Sequence, residues 1–374
     1  MTCIFMLHVT NRHQGVNMAN DKLMKAKEVK NDEFYTEYKT ISDEIGHYRN
    51  QLKGKIIYCN CDDPSWSNFW KYFHNNFASL GIKKLVSTHF QKNSEPSYKI
   101  EYCGGDDFNI DAGKISEIVG NSAEVNGKEV FYTAGDFRSE DCIKLLKEAD
   151  VVCTNPPFSL FREYLNQLIE YNKQFIIIGN QNASHNKEIF PLFKENKIWY
   201  GASIHSGGVD FRMPDDLDSY SSNVFIKNGH HYINLAGIRW ITNLDVKYRH
   251  EGLWHKNGQF DKTQAHTYYE GNEDKYLKYD NFDAIDIKSA NEIPIDYEGM
   301  MGVPITILDR FNPEELELIG IGSGSMAAKI GVKKNYRGRT DIAYTLPDGT
   351  HKCPFSRVIV RNLHPIKKTE DLGY

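Results

Sequence analysis

Over the first 200 residues, short apolar runs alternate with amphipathic stretches. Residues 53–63 (KGKIIYCNCDD), 82–90 (IKKLVSTHF), 150–155 (DVVCTN) and 173–181 (KQFIIIGNQ) are apolar on successive positions, the pattern of strands buried on both faces. Between them, residues 65–81 (SWSNFWKYFHNNFASLG) repeat Phe69, Trp70, Phe73, Phe77 and Leu80 at helical spacing and close on Gly81. Residues 139–150 predict a helix capped by Ser139. Residues 159–172 predict another, with Phe161, Tyr164, Leu165 and Leu168 on one side, and residues 186–197 a short one broken by Pro191. Residues 98–105 and 128–136 predict further strands, as a hairpin insertion. Strands alternating with helices predict an α/β class with a doubly wound, mostly parallel sheet.

The pattern changes after Gly201. Residues 207–214, 222–228 and 233–244 predict strands between polar turns, residues 245–291 are polar, aromatic and irregular, and residues 303–311 and 356–363 predict late strands. We therefore expect a leader at 1–30, a first domain at 31–244, and a smaller irregular α+β region at 245–374 whose last strands return to the first. The leader has a short apolar patch but no basic segment or cleavage site of a signal peptide, and reads as disordered, with Met18 or Met24 as alternative starts.

Composition narrows the class. No apolar run approaches the ~20 residues that span a bilayer. Seven scattered cysteines, none in C-x-x-C spacing, fit a reduced, cytoplasmic interior. Cys59 and Cys61 alternate along a strand and face opposite ways, so they form no chelating pair, and no metal is expected. A net charge of -5 argues against a protein that coats nucleic acid non-specifically but leaves room for a local basic face.

The chemistry concentrates at Asn155-Pro156-Pro157-Phe158, which follows an apolar strand, where open α/β sheets form their sites. An exocyclic amine is a poor nucleophile because its lone pair is delocalised into the ring. Acceptors around its N–H groups favour the more tetrahedral nitrogen of the transition state. The Asn155 side-chain carbonyl and the Pro156 main-chain carbonyl supply two such acceptors. The prolines stiffen the loop, and Phe158 offers a face for a base to stack on. A base in a duplex reaches such a pocket only by flipping out. Asn180 and Gln181, at the end of the next strand, read equally as base-orienting residues and as turn caps.

This loop resembles the [DN]-P-P-[YFW] signature of S-adenosylmethionine-dependent amino-methyltransferases. Together with residues 31–45 (NDEFYTEYKTISDEI), 54–73 (GKIIYCNCDDPSWSNFWKYF), 135–139 (GDFRS) and 302–320 (GVPITILDRFNPEELELIG), it resembles the EcoRI-type adenine-specific DNA methyltransferase family over about residues 31–362. The resemblance implies the S-adenosylmethionine methyltransferase fold and assigns the second region to target recognition. It implies transfer of a methyl group to adenine N6 by direct displacement, with duplex DNA as partner and no metal. It also implies a monomer, and leaves room for a cognate restriction endonuclease acting independently.

Position by position, it implies that Tyr35 and Thr36 fold over the cofactor's methionine portion, and that Asp63-Pro64 ends the first strand beside the cofactor's ammonium, with Asp62 an equal candidate on chemistry. Asp136 and Phe137 fall beside the cofactor adenine. Two features depart from the usual pattern. A Gly-rich turn is replaced by Ser65, Ser67 and Asn68, and the second strand lacks an acidic residue for the ribose, for which His89 is the candidate. For DNA phosphates we expect Lys247, Arg249, Lys256, Lys333, Lys334, Arg337 and Arg339, with Trp254 and Tyr336 as apolar wedges. Two other readings stay open: an RNA adenine or protein glutamine amide as acceptor, and a catalytically inactive DNA-binding protein.

Overall fold

The computed structural model describes residues 35–105, 113–205, 207–213, 224–256, 259–260, 266–269 and 271–366. The expected leader at 1–30, with Met18 and Met24, lies outside the described residues. An eight-stranded sheet organises the first half. Its strands are β1 (Ile56–Cys59), β2 (Lys84–Thr88), β3 (Ser97–Tyr102), β4 (Lys114–Ile118), β5 (Val151–Thr154), β6 (Gln174–Asn180), β7 (Trp199–Tyr200) and β8 (Ile238–Thr242). Their spatial order is β7-β8-β6-β5-β1-β2-β3-β4. The central four, β6-β5-β1-β2, are parallel. Both flanks are antiparallel: β3 and β4 follow β2, and β8 and β7 follow β6. The sheet is therefore mixed rather than mostly parallel. A parallel pair needs a crossover, whereas β2 to β3 and β7 to β8 pair antiparallel and need none.

The parallel strands are buried on both sides, as their unbroken apolar runs require. Ile57, Cys59, Leu85, Val151, Cys153, Ile176 and Ile178 pack on helices α1 (Tyr38–Ile45) and α2 (Asn68–Asn75), through Ile41, Ile45, Phe69, Trp70 and Phe73. The alternate residues Tyr58, Val86, Val152, Phe175 and Ile177 pack on helices α3 (Glu140–Glu148) and α4 (Phe161–Glu170), through Leu145, Leu146, Phe161, Tyr164, Leu165 and Leu168. The expected helix over 65–81 is two pieces, Asn68–Asn75 and Phe77–Leu80, divided at Asn76 and closed by Gly81 in the left-handed region (φ 62°). Ser67 and Ser139 cap α2 and α3 by accepting from the Phe69 and Cys142 N–H groups. Pro191 does not break its helix but opens it, in the first turn of Phe190–Lys194, where no N–H is needed.

Besides this layer and three two-stranded ribbons, the described residues form two further sheets. Tyr35–Thr36, Gly208–Arg212, His230–Ala236 and Val224–Lys227 form an antiparallel sheet in that order. The late strands Met300–Pro304, Arg357–Asn362 and Leu316–Ile321 do not join the central sheet but lie in a five-stranded sheet of their own. Its apolar residues Met301, Val303, Leu318, Val358 and Val360 share one core with α4 and β6.

A buried ion pair crosses the same boundary. Arg239 of β8 donates through Nε to Asp309 Oδ1 at 2.5 Å and through a terminal nitrogen to Oδ2 at 3.0 Å; its remaining donors reach the Ile238 and His205 carbonyls, both at 2.8 Å. Both side chains are nearly excluded from solvent. Because removing one partner strands a buried charge, Asp309→Ala should lower the unfolding free energy by about 3–5 kcal/mol in urea titrations. A loss under about 1 kcal/mol would mean the pair does not hold the two regions together.

Candidate active site

Parallel strands end on the same edge, so the turns after β1, β2 and β5 converge. There they line a cleft of about 710 Å³. Its walls include Tyr35, Thr36, Asp62, Asp63, His89, Asp136, Phe137, Asn155 and Pro157, all expected at the site. Pro64 and Pro156 are buried and their side chains are not among its lining.

The turn after β1 carries no glycine, and the backbone compensates. Cys61 adopts φ 64°, the left-handed conformation that glycine enters without cost. Asp63 then accepts from the Ser65 backbone N–H and hydroxyl, at 2.8 and 2.7 Å. Ser67 caps α2, and the Asn68 side chain donates to the Thr36 carbonyl at 2.7 Å, tying the 35–36 strand to the turn. Trp66 meets Tyr35 at 3.9 Å between ring centroids. Thr36 is 4% exposed, and its hydroxyl oxygen has no hydrogen-bond partner among the described residues.

The carboxylates differ in their surroundings. Asp62 is buried, accepting from Ser67 Oγ at 2.9 Å and lying 2.5 Å from Thr154 Oγ1. Burial pushes its carboxyl up to about 7, against the opposing pull of Thr154, Ser67 and the Asn155 backbone. Asp63 lies on the other side, accepting from the Tyr98 hydroxyl at 3.1 Å and 3.3 Å from His89 Nε2. His89 stacks on Tyr98, and its Nδ1 is 2.5 Å from Ser97 Oγ, so both ring nitrogens have partners. Asp136 is gripped by Arg138 in a fork, with Nε on Oδ1 at 2.9 Å and a terminal nitrogen on Oδ2 at 2.8 Å. The same guanidinium lies over the Tyr132 and Phe137 rings, and the Asp136 hydrogen bond raises the Arg138 pKa above its ordinary value. Phe137 is buried edge-on against Tyr164.

Phe158 falls outside the cleft lining. Its half-buried ring packs edge-on against Phe211, which pairs with Thr36 across the small sheet. Asn180 is a turn cap, accepting from the Asn182 N–H, and Gln181 bonds Gly237; neither lines the cleft. Sequence reasoning missed Tyr98, Trp66 and Arg138. Arg138 stands inside the GDFRS motif, and a cation one position past an aromatic and two past an acid was a usable signal. Tyr98 carried none, because its place depends on an antiparallel strand.

The basic residues fall in separate places. Lys333, Lys334, Arg337 and Arg339 are exposed on one turn, held by Asn335, whose side chain accepts from the Arg337 and Arg339 N–H groups. Tyr336 is exposed there, stacked on His351. Lys247 is exposed in the turn Lys247–His250, whereas Arg249 is half-buried, its guanidinium 3.6 Å from the Trp199 ring centroid. The Lys256 side chain lies outside the described residues. Trp254 is no wedge: it is buried in the core, donating to the Ile293 carbonyl at 3.2 Å. Among the described residues no cluster of His, Cys, Asp or Glu could hold a metal ion, and no helix is long and apolar enough to cross a membrane.

A cleft at the carboxyl edge of parallel strands, walled by 35–36, 62–63, 136–137, Asn155 and Pro157, gathers the segments that carry the methyltransferase resemblance. The family model described as adenine-specific methyltransferase EcoRI matches residues 22–363. The chain is 41% identical over 350 residues to the type II methyltransferase M.EcoRI of Escherichia coli, covering 92% of this chain and 98% of that protein. It is 38% identical over 316 residues to the type II methyltransferase M.MpnI of Mycoplasma pneumoniae, covering 83% and 89%. No solved structure matched the chain. The chain belongs to the EcoRI adenine-specific methyltransferase family.

Gly135 lines the cleft close to the end of β2. It has φ 81°, and a Cβ there would come within 2.1 Å of the His89 carbonyl oxygen. Gly135→Ala should therefore displace the 135–138 turn from the end of β2 and destabilise the fold by about 1–3 kcal/mol. An unchanged melting curve would show that the turn accommodates the methyl group freely.

Proposed function

We propose that this chain is a site-specific DNA methyltransferase that moves the methyl group of S-adenosylmethionine to N6 of an adenine flipped out of duplex DNA. The observation that carries the reading is the single cleft in which residues 35–36, 62–63 and 136–137 share a wall with Asn155 and Pro157. The cleft fits such a cofactor by its chemistry. The Thr36 hydroxyl is a buried polar atom without a partner among the described residues, Asp63 is a carboxylate for an ammonium, and Phe137 and Asp136 offer an apolar face beside an acceptor. Tyr35, Thr36, Asp63, His89, Asp136 and Phe137 would hold it. When bound, the cofactor supplies a methyl group already activated on a sulfonium.

The chain's own part is orientation and electrostatics. Asn155 Oδ1 and the Pro156 carbonyl accept from the two amine hydrogens, favouring a tetrahedral nitrogen as the amine attacks. The methylated nitrogen would then release its extra proton to water. Pro156 and Pro157 keep the loop rigid, which preserves near-attack geometry. Phe158, steadied by Phe211, offers an edge of the base-binding side. The turn 333–339 and Lys247 supply phosphate contacts, with Arg337 and Arg339 the strongest candidates because Asn335 pre-organises their backbone.

Incubating the protein with methyl-labelled cofactor and, in parallel, duplex DNA, RNA and a glutamine-bearing protein tests the acceptor. Label in duplex DNA alone is expected; label only in RNA or protein contradicts the reading, and no cofactor binding at all favours a non-catalytic DNA-binding protein. Asn155→Ala should reduce the single-turnover rate about 10²–10³-fold. Calorimetry should find its cofactor affinity nearly intact, since the side chain acts on the amine. Loss of both together would make the loop structural rather than catalytic.

A further inference from the structure

Asp62 stands apart from the other carboxylates of the cleft. Its side chain is 5% exposed and joins two motifs that are distant in sequence. Oδ1 accepts from Ser67, the cap of α2, while Oδ2 lies against Thr154, the last residue of β5, and the Asn155 backbone N–H also reaches the carboxyl. One carboxyl group thus bridges the turn after β1 and the Asn-Pro-Pro loop.

Counting hydrogens sharpens its role. The Thr154 hydroxyl has one hydrogen and two acceptors in reach, the Asn60 carbonyl and Asp62 Oδ2. If Asp62 is ionised, Thr154 can serve only one of them. If Asp62 carries a proton on Oδ2, the competition for the Thr154 hydrogen is resolved. Thr154 donates to Asn60, Asp62 donates to Thr154 Oγ1, and Oδ1 still accepts from Ser67. The titratable groups facing Asp62 are Asp63 beside it in the chain, Cys59 at the end of β1, Cys61 on the same turn, Cys153 on β5 and Tyr164 on α4. None of these is a cation that would favour the carboxylate. Burial acts in the same direction.

We propose that Asp62 is a positioning residue that carries a proton and brackets the Asn155 loop against the α2 cap, and that it is not the ionic partner of the methyl donor, a role left to Asp63. The inference rests on the methyl-transfer reading. It adds that the cofactor turn and the target loop are held as one body by a neutral carboxyl.

The full chain is compared with Asp62→Asn, Asp62→Ala and Asp63→Asn. Asparagine keeps the shape, donates to Thr154 and accepts from Ser67, so Asp62→Asn should retain kcat within about tenfold and cofactor Kd within about threefold. Asp62→Ala should lower kcat by about 100-fold with little change in cofactor Kd, and Asp63→Asn should weaken the cofactor by about tenfold or more. Without cofactor, an infrared difference spectrum of the unaltered chain minus Asp62→Asn at about pH 6 should contain a protonated-carboxyl band.

Three results would overturn the proposal: Asp62→Asn losing cofactor affinity while Asp63→Asn keeps it, Asp62→Ala turning over normally, or a carboxylate band in place of the protonated one. No cofactor binding by the unaltered chain, with the protonated band present, would overturn the methyl-donor reading and leave the bracket as structure alone.

Discussion

The cleft depends on the parallel placement of β1 between β2 and β5. Ile57 pairs with Leu85 on one side and Val151 on the other, so the three strands stop at neighbouring positions on one edge. Each chain end must then turn back over the sheet. Asp62, Asp63, Asn68, His89, Asn155 and Pro157 therefore line one cleft although far apart in sequence. The apolar residues behind them are packed on both faces, so this edge is a rigid rim on which small polar groups can be aimed.

What is built on that rim departs from a glycine-rich design without losing the close approach of backbone to cleft. Cys61 takes the left-handed conformation, Gly135 sits against the His89 carbonyl, and Asn68 pins the 35–36 strand. The small sheet that begins with Tyr35 and Thr36 also holds Phe211, which supports Phe158. The turn after β1 and the Asn155 loop are thus joined through the Asp62 carboxyl, and the 35–36 strand and Phe158 through this small sheet. The late five-stranded sheet is locked to the same body through Arg239 and Asp309 and through a common apolar core.

Much of this was legible in the chain because burial on both faces leaves unbroken apolar runs. β1, β2, β5 and β6 are such runs, and α4 announced itself through Phe161, Tyr164, Leu165 and Leu168. Asp62, Asp63, His89 and Asn155 stood out because they fall directly after those runs, whereas Tyr35, Thr36, Asp136 and Phe137 were placed only by the family resemblance. Direction was not: hydrophobic alternation does not say whether residues 97–102 or 238–242 run parallel or antiparallel, and so Tyr98 beside Asp63 could not be foreseen. Local composition also failed to separate exposed from buried basic-aromatic clusters. Arg249 on Trp199 and the buried Trp254 look in sequence like Arg337 beside Tyr336, yet only the latter pair is exposed. Phe158 was placed by its motif, but its packing on Phe211 depends on a strand more than fifty residues away.

The central claim is that this one cleft directs a methyl group to the exocyclic amine of adenine in duplex DNA. Its most direct test is nucleoside analysis by mass spectrometry of plasmid DNA from cells expressing the chain, with the Asn155→Ala chain as control. The account predicts N6-methyladenine above host background at one short recurrent sequence, and a strongly reduced level at that sequence with the control. Methylated cytosine in its place, or an undiminished level of N6-methyladenine with Asn155→Ala, would contradict it.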